Sequence, residues 1–160
     1  MVDFTFALTP KLRFYEANKR GLKVVQPIKV SKKYHVSPQI EIEDIKKLVD
    51  AGFTKIICNR PNEEIPAELH SNYMAIAAKA AGISFDILPL THQAMTPENI
   101  AKQAELIDAA SGPVLAYCAS GTRCTVIWAL GQTGKMSADD IIHAASEAGY
   151  NIEGLRQALG

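Results

Sequence analysis

Most of the chemistry legible in this chain lies in seven consecutive residues, Tyr117-Cys118-Ala119-Ser120-Gly121-Thr122-Arg123. An apolar stretch ends in a cysteine, small residues follow, and an arginine opens what reads as a helix. Small residues running into a helix let successive backbone N–H groups point inward, and the helix start adds partial positive charge. Such a loop cradles an anion. The same field stabilises a thiolate at Cys118 and makes it a nucleophile near neutral pH. Gly121 permits a backbone angle that a side chain hinders. Arg123 offers a planar fork for two oxyanions. Cys118 and Arg123 are therefore the candidate catalytic pair, and Ala119, Ser120, Gly121 and Thr122 the candidate anion-binding residues. The competing reading is a buried cysteine at a strand end with a helix cap behind it.

In open α/β sheets, ligands bind beyond the carboxyl ends of the strands. Two more segments are expected there, Asn59-Arg60-Pro61 and Pro89–Met95. Arg60 is a candidate to hold a substrate anion or to brace the Cys118 loop; a surface arginine beside a turn proline is the alternative. His92 is the candidate general acid, since histidine as a residue type exchanges protons near neutral pH; an exposed loop histidine is the alternative. Asp86 precedes that loop but falls mid-strand, so it is expected to face away. Cys124 is a candidate resolving thiol, set against a small apolar helix residue. Cys58 is expected to be buried and inert. His35, His70 and His143 have no metal-ligand spacing. No metal or organic cofactor is implied.

The elements that must position these residues are readable from periodicity and punctuation. Thr9-Pro10 to Gly21 reads as a helix, and Leu22–Val25, Pro27–Val30 and Tyr34–Val36 as short strands. Ser37-Pro38 is expected to open a helix with Ile42, Ile45, Leu48 and Val49 on one face, stopped by Gly52. Phe53–Cys58, Ile83–Leu88 and Val114–Tyr117 read as apolar strands. Helices are expected over Pro66–Ala81, from Thr96-Pro97 to Ala110, from Arg123 to Leu130, from Ser137 to Ala148, and briefly over Glu153–Leu159. Strands alternating with helices predict a single α/β domain whose mainly parallel central sheet is flanked by helices.

Length and composition narrow the classes. A chain of 160 residues is one domain's worth. Its 48% hydrophobic and 21% charged residues exclude a disordered or collagen-like chain. The longest apolar run, Val126–Leu130, is far short of the roughly 20 residues of a membrane span. Three cysteines suggest a reducing compartment, and so the cytoplasm. Seventeen basic residues balance seventeen acidic ones, so charge predicts no nucleic-acid binding. Residues 1–33 nonetheless carry eight Lys/Arg against Asp3 and Glu16. Residues 1–26 are read as a basic extension that folds back or serves an oligomer contact, and 27–160 as the catalytic domain.

The Cys-x4-Arg loop resembles those of rhodanese-like sulfurtransferases and of the protein-tyrosine/dual-specificity phosphatase superfamily. The wider chain points to one family. Val36-Ser37-Pro38-Gln39, Lys55-Ile56-Ile57-Cys58-Asn59-Arg60-Pro61, Pro113–Cys118, Gly121-Thr122-Arg123-Cys124 and Ala148-Gly149-Tyr150-Asn151-Ile152 resemble the phosphatase-like domain of bacterial beta-lactamase-hydrolase-like proteins. The likeness covers residues 27–158. The "beta-lactamase" of that name is a metallohydrolase domain fused to some members, and no clustered His pattern for its metal occurs here. The resemblance implies a dual-specificity-phosphatase-like fold, with Cys118 as nucleophile and Arg123 as oxyanion binder. Three departures stand out. Superfamily loops usually have five residues between Cys and Arg, where this chain has four. They also follow the Arg with Ser or Thr, where Cys124 stands here, leaving Thr125 or Ser120 to substitute. The superfamily's usual acidic residue is missing from the loop around His92. The leading expectation is a cysteine-dependent phosphatase-like hydrolase acting on a small anionic substrate or a phosphoprotein, with phosphotyrosine a candidate. The alternative is a sulfurtransferase forming a Cys118 persulfide, and the third is a non-catalytic module that senses anions or oxidants.

Overall fold

Five strands form one sheet in the order β1-β2-β5-β3-β4. They are β1 (Ile28–Lys29), β2 (Tyr34–Ser37), β3 (Lys55–Cys58), β4 (Ser84–Ile87) and β5 (Val114–Tyr117). The structure is a computed structural model and describes residues 25–160. The expected helix from Thr9 to Gly21 and all but Val25 of the strand Leu22–Val25 lie outside the described residues; Val25 itself is buried against the core. β1 pairs with β2 antiparallel, and every other pairing is parallel. The chain leaves β2, builds β3 two places away and β4 beyond it, and returns to insert β5 between β2 and β3. β5 is therefore central, and all four of its residues are buried.

Alternation along β5 feeds two cores. Val114 and Ala116 pack with Val36, Ile57, Trp128 and Ile141 on one face. Leu115 and Tyr117 pack with Ile45, Leu48, Ile56 and Met74 on the other. The first face is covered by α3 (Pro97–Asp108), α4 (Thr122–Gly131) and α5 (Ala138–Glu147), the second by α1 (Ile42–Asp50) and α2 (Ser71–Ala81). A helix layer on each side of a mainly parallel sheet is the α/β arrangement expected from the sequence. Pro97 and Thr96 start α3, with the Thr96 hydroxyl accepting from Asn99 N–H, and Ser137 caps α5 in the same way.

β1, β3 and β4 are shorter than expected by a residue or two at their ends, and three helical segments differ more. α1 starts at Ile42 rather than at Ser37-Pro38, because Ser37 completes β2 and Glu41 with Asp44 forms a reciprocal capping box. The helix expected over Pro66–Ala81 is broken: a 3-10 turn at Ala67–Leu69 ends in extended backbone at His70, and α2 begins at Ser71. The side chain of Asn62 accepts from Ser71 N–H and closes that helix start from nine residues away. The chain end expected as a helix over Glu153–Leu159 is a 3-10 turn at Glu153–Leu155 followed by further turns.

Candidate active site

The parallel strands deliver Ser37, Cys58, Ile87 and Tyr117 to one edge of the sheet. Cys118 follows the central strand directly, and Gly121 caps α4 with φ +90°, in the left-handed region. Gly121 has no side chain to cap that helix start, and Ser120 Oγ accepts only from Thr122 N–H, at 3.4 Å. The other N–H groups of the first turn are left for whatever the loop holds.

The Cys118 sulfur takes that place. Gly121 N–H donates to Sγ at 3.2 Å. The Cys124 thiol and the N–H groups of Cys124, Ser120 and Gly121 bring the Cys118 pKa down to about 5, against the upward pull of burial. Cys124 itself, fully buried, is pushed up by burial and by Cys118. The pair thus divides into one thiolate and one thiol donor. The hydroxyls expected to substitute for the missing Ser/Thr are engaged elsewhere. Thr125 Oγ1 donates to Gly121 O at 2.9 Å. Ser120 Oγ lies 2.9 Å from Thr122 Oγ1. Cys124, not a hydroxyl, is the side chain that donates to the Cys118 sulfur.

Arg123 reaches away from the helix and over the cleft. Its Nη1 and Nη2 donate to Glu64 Oε2 and Oε1, each at 2.8 Å, and Nη1 also donates to Leu90 O at 2.7 Å. Three of the five guanidinium N–H groups are used in this way. The Nε–H and the second Nη2–H share one edge of the fork, and that edge remains for an anion. Arg60 does not touch the Cys118 loop. Its Nε lies 2.8 Å from Glu64 Oε1, a charge contact without an aligned hydrogen bond, and its Nη2 donates to Glu64 O at 3.1 Å. Arg60 therefore braces Arg123 through Glu64. The hydrogen bond from Arg123 is the main reason the Glu64 carboxyl is held below the usual carboxylate range.

Glu64 is the residue that reading the sequence missed. It lies on a 3-10 turn at Asn62–Glu64, where a plain loop was expected, and is 59 positions from Arg123. Nothing local to either residue signals the pair.

A cleft of about 380 Å³ opens above the loop. Glu64, Thr91, His92, Ser120 and Arg123 are among its lining residues. His92 is thus brought to the site, on a 3-10 turn at His92–Ala94. Asp86 is not: it faces Lys55, with Nζ 3.1 Å from Oδ2. Beneath the cleft runs a buried amide chain. The side chains of Asn59 and Gln103 exchange two hydrogen bonds, at 2.9 and 3.0 Å. Gln103 also donates to Tyr34 Oη, whose hydroxyl donates to Cys124 O at 2.8 Å. Asn59 O accepts from Leu90 N–H. The loop carrying His92, the end of β3 and the first turn of α4 are thereby tied together.

A larger groove, about 870 Å³, lies between α3 and α4 against Ile100, Ala104 and Leu130, and no Cys, Ser, Thr or His lines it. Among the described residues no three His, Cys, Asp or Glu side chains gather as a metal site, and no helix is long and apolar enough to cross a membrane.

Comparison with known proteins agrees with this geometry. The chain is 27% identical over 130 residues to the beta-lactamase hydrolase-like protein of Agrobacterium fabrum, a match covering 80% of this chain and 30% of that one. It is 24% identical over 127 residues to the protein of that name from Xylella fastidiosa, again 30% of its length. The chain thus spans about a third of these curated relatives. Among solved structures, a Neisseria meningitidis protein described as a candidate phosphatase superposes with a TM-score of 0.73 at 32% identity, covering 82% of this chain and 94% of that one. TpbA of Pseudomonas aeruginosa, solved in complex with pTyr, shares the fold with a TM-score of 0.55 at 13% identity, covering 85% and 95%. Residues 28–135 match the family model described as "Beta-lactamase hydrolase-like protein, phosphatase-like domain". With more than half of its length inside that model, the chain belongs to the phosphatase-like domain family of the beta-lactamase hydrolase-like proteins.

Proposed function

We propose that the chain is a cysteine-dependent phosphatase acting on phosphate monoesters, phosphotyrosine or a small aryl phosphate among them. The observation that carries this reading is the buried Cys118 sulfur at the start of α4, accepting from Gly121 N–H at 3.2 Å beneath an arginine with one fork edge unused; its pKa is lowered to about 5. In this reading the thiolate attacks phosphorus while the S–P bond forms and the ester P–O bond breaks. The loop N–H groups and the free Nε/Nη2 edge of Arg123 hold the equatorial oxygens. His92 protonates the departing oxygen. Glu64 is unsuited to that task, because its two arginines keep it ionised. Water then splits the phosphocysteine and regenerates the thiolate.

The test is His92→Ala against two substrates. An alkyl phosphate has a poor leaving group and should slow by about 10²-fold or more, while an activated aryl phosphate should change little. Equal slowing of both would remove His92 from the acid role.

A second reading is favoured by one feature, the four-residue spacing from Cys118 to Arg123. A shorter ring suits a single transferred sulfur, and a persulfide step needs no general acid. In that reading Cys118 takes the sulfane sulfur of thiosulfate, releases sulfite and passes the sulfur to an acceptor thiol. Turnover of thiosulfate without phosphatase activity would establish it in place of the first. A module that only senses anions or oxidants would show neither turnover.

A further inference from the structure

The Ser120–Gly121 peptide decides whether the Cys118 loop works as a cradle. A trans peptide is planar, so its C=O and N–H point in opposite directions. Here the Gly121 N–H points inward to Cys118 Sγ at 3.2 Å. The Ser120 carbonyl therefore points outward, and there it accepts from the Tyr150 hydroxyl at 2.8 Å.

That orientation is not one the backbone selects unaided. It places Gly121 at φ +90°. Reversing the peptide would move Gly121 toward the negative φ that every residue adopts, and glycine tolerates both. The reversed peptide would aim a carbonyl oxygen at the thiolate. Something outside the loop has to choose, and the Tyr150 hydroxyl is the group in contact. It sits so close that a Cβ on Gly121 would meet Tyr150 Oη at 2.2 Å.

Tyr150 is itself accurately placed. Ala148 caps the C-terminus of α5, and Gly149 follows at φ +96°. Gly149 N–H donates to Ser146 O, and Tyr150 N–H donates to Ala145 O, each at 2.9 Å. This is the paired bonding of a Schellman motif, which fixes the residue after the glycine. The ring of Tyr150 packs on the core beneath α5.

We propose that Tyr150 is a positioning residue, whose hydroxyl holds the Ser120–Gly121 peptide in the orientation that turns the Gly121 N–H onto the Cys118 sulfur. The inference rests on Cys118 being the reactive thiolate and holds for either chemistry above. The charged and titratable groups coupled to the Cys118 sulfur are Cys124 and Arg123 from α4, Tyr34 from β2, Cys58 from β3, and Tyr150. Glu64 and His92 line the cleft above. Tyr150 acts as a neutral donor in this scheme; its own pKa is pushed up to about 12, mainly by burial.

The test needs no substrate. The ultraviolet absorbance of the thiolate and the rate of alkylation by iodoacetamide are followed against pH in the full chain, with Cys118→Ser as the blank. In Tyr150→Phe, which keeps the ring and loses one hydroxyl, the Cys118 midpoint should rise by about one pH unit, with the melting temperature within a few degrees of the parent. Tyr150→Ala should shift the midpoint at least as far. An unchanged midpoint in Tyr150→Phe overturns the inference, whether or not the melting temperature falls. An acid transition that persists in Cys118→Ser overturns the reading of Cys118 itself. Failure of the parent to turn over a phosphate would bear on the proposed function alone.

Discussion

Cys58 and Cys118 stand side by side at one edge of the sheet. Cys58 ends β3 and is in register with Tyr117, so Cys118 lies one residue further along the neighbouring strand. Both are buried, at 1% and 0% exposure. Their thiols are nevertheless pushed in opposite directions. Burial raises Cys58, whereas Cys118 is lowered to about 5. The difference lies in what each sulfur faces. Cys58 Sγ donates to the carbonyl of Arg60, and the Tyr117 hydroxyl and the Arg60 backbone beside it do not outweigh its burial. Cys118 Sγ accepts from N–H groups at a helix start and from a second thiol. Depth in the fold thus says little about reactivity; whether enough donors gather on the sulfur to outweigh its burial decides it.

The comparison is most easily broken by exchanging the sulfur. Cys118→Ser should lower turnover of any substrate by at least about 10⁴-fold, while Cys58→Ser should stay within a few-fold, as steady-state rates would show. Comparable losses at the two sites would mean that the neighbouring loops matter less than the shared edge. Next in size is Arg123→Lys, which keeps the charge and loses the fork. It should remove about 2–4 kcal/mol of transition-state stabilisation, read from kcat/KM.

How much of the fold and the site is legible in the sequence depends on the range of each signal. Cys118, Gly121 and Arg123 lie within one turn of chain, so the strand, the small-residue loop and the helix start are all visible together. The alternation of apolar strands with helices implies the sheet and places β5 beside the site. Glu64 is hidden, because its meaning depends on Arg123 and Arg60 meeting it across the sheet edge. Gln103 is hidden too. It reads as a polar position on an amphipathic helix, yet it is fully buried and satisfied by Asn59 and Tyr34. Tyr150 is visible only as part of a family-like string. Its partner, a backbone carbonyl, leaves no mark in the sequence.

Glu64 gives an intermediate effect. Glu64→Gln should raise KM by about tenfold with a smaller change in kcat, because it loosens Arg123 without removing it. The acid dependence has a definite sign. Since the folded Glu64 carboxyl titrates below its ordinary range, its ion pairs contribute fully above about pH 4.3 and are lost as pH falls through the lower folded value. Thermal melts of parent and Glu64→Gln should therefore converge at acid pH. Smaller still is Cys124→Ala, which removes the thiol facing Cys118. The Cys118 midpoint should move up from about 5, and the acid limb of kcat/KM with it, whereas Cys124→Ser, which keeps a donor, should move it less.

The most direct measurement is intact-mass and peptide mapping of the full chain, quenched in acid during turnover of an aryl phosphate. The account predicts a phosphoryl group on Cys118 alone, absent from Cys118→Ser, with Cys58 and Cys124 unmodified. No phosphoryl adduct and no turnover, together with a sulfur added to Cys118 from thiosulfate, would contradict it.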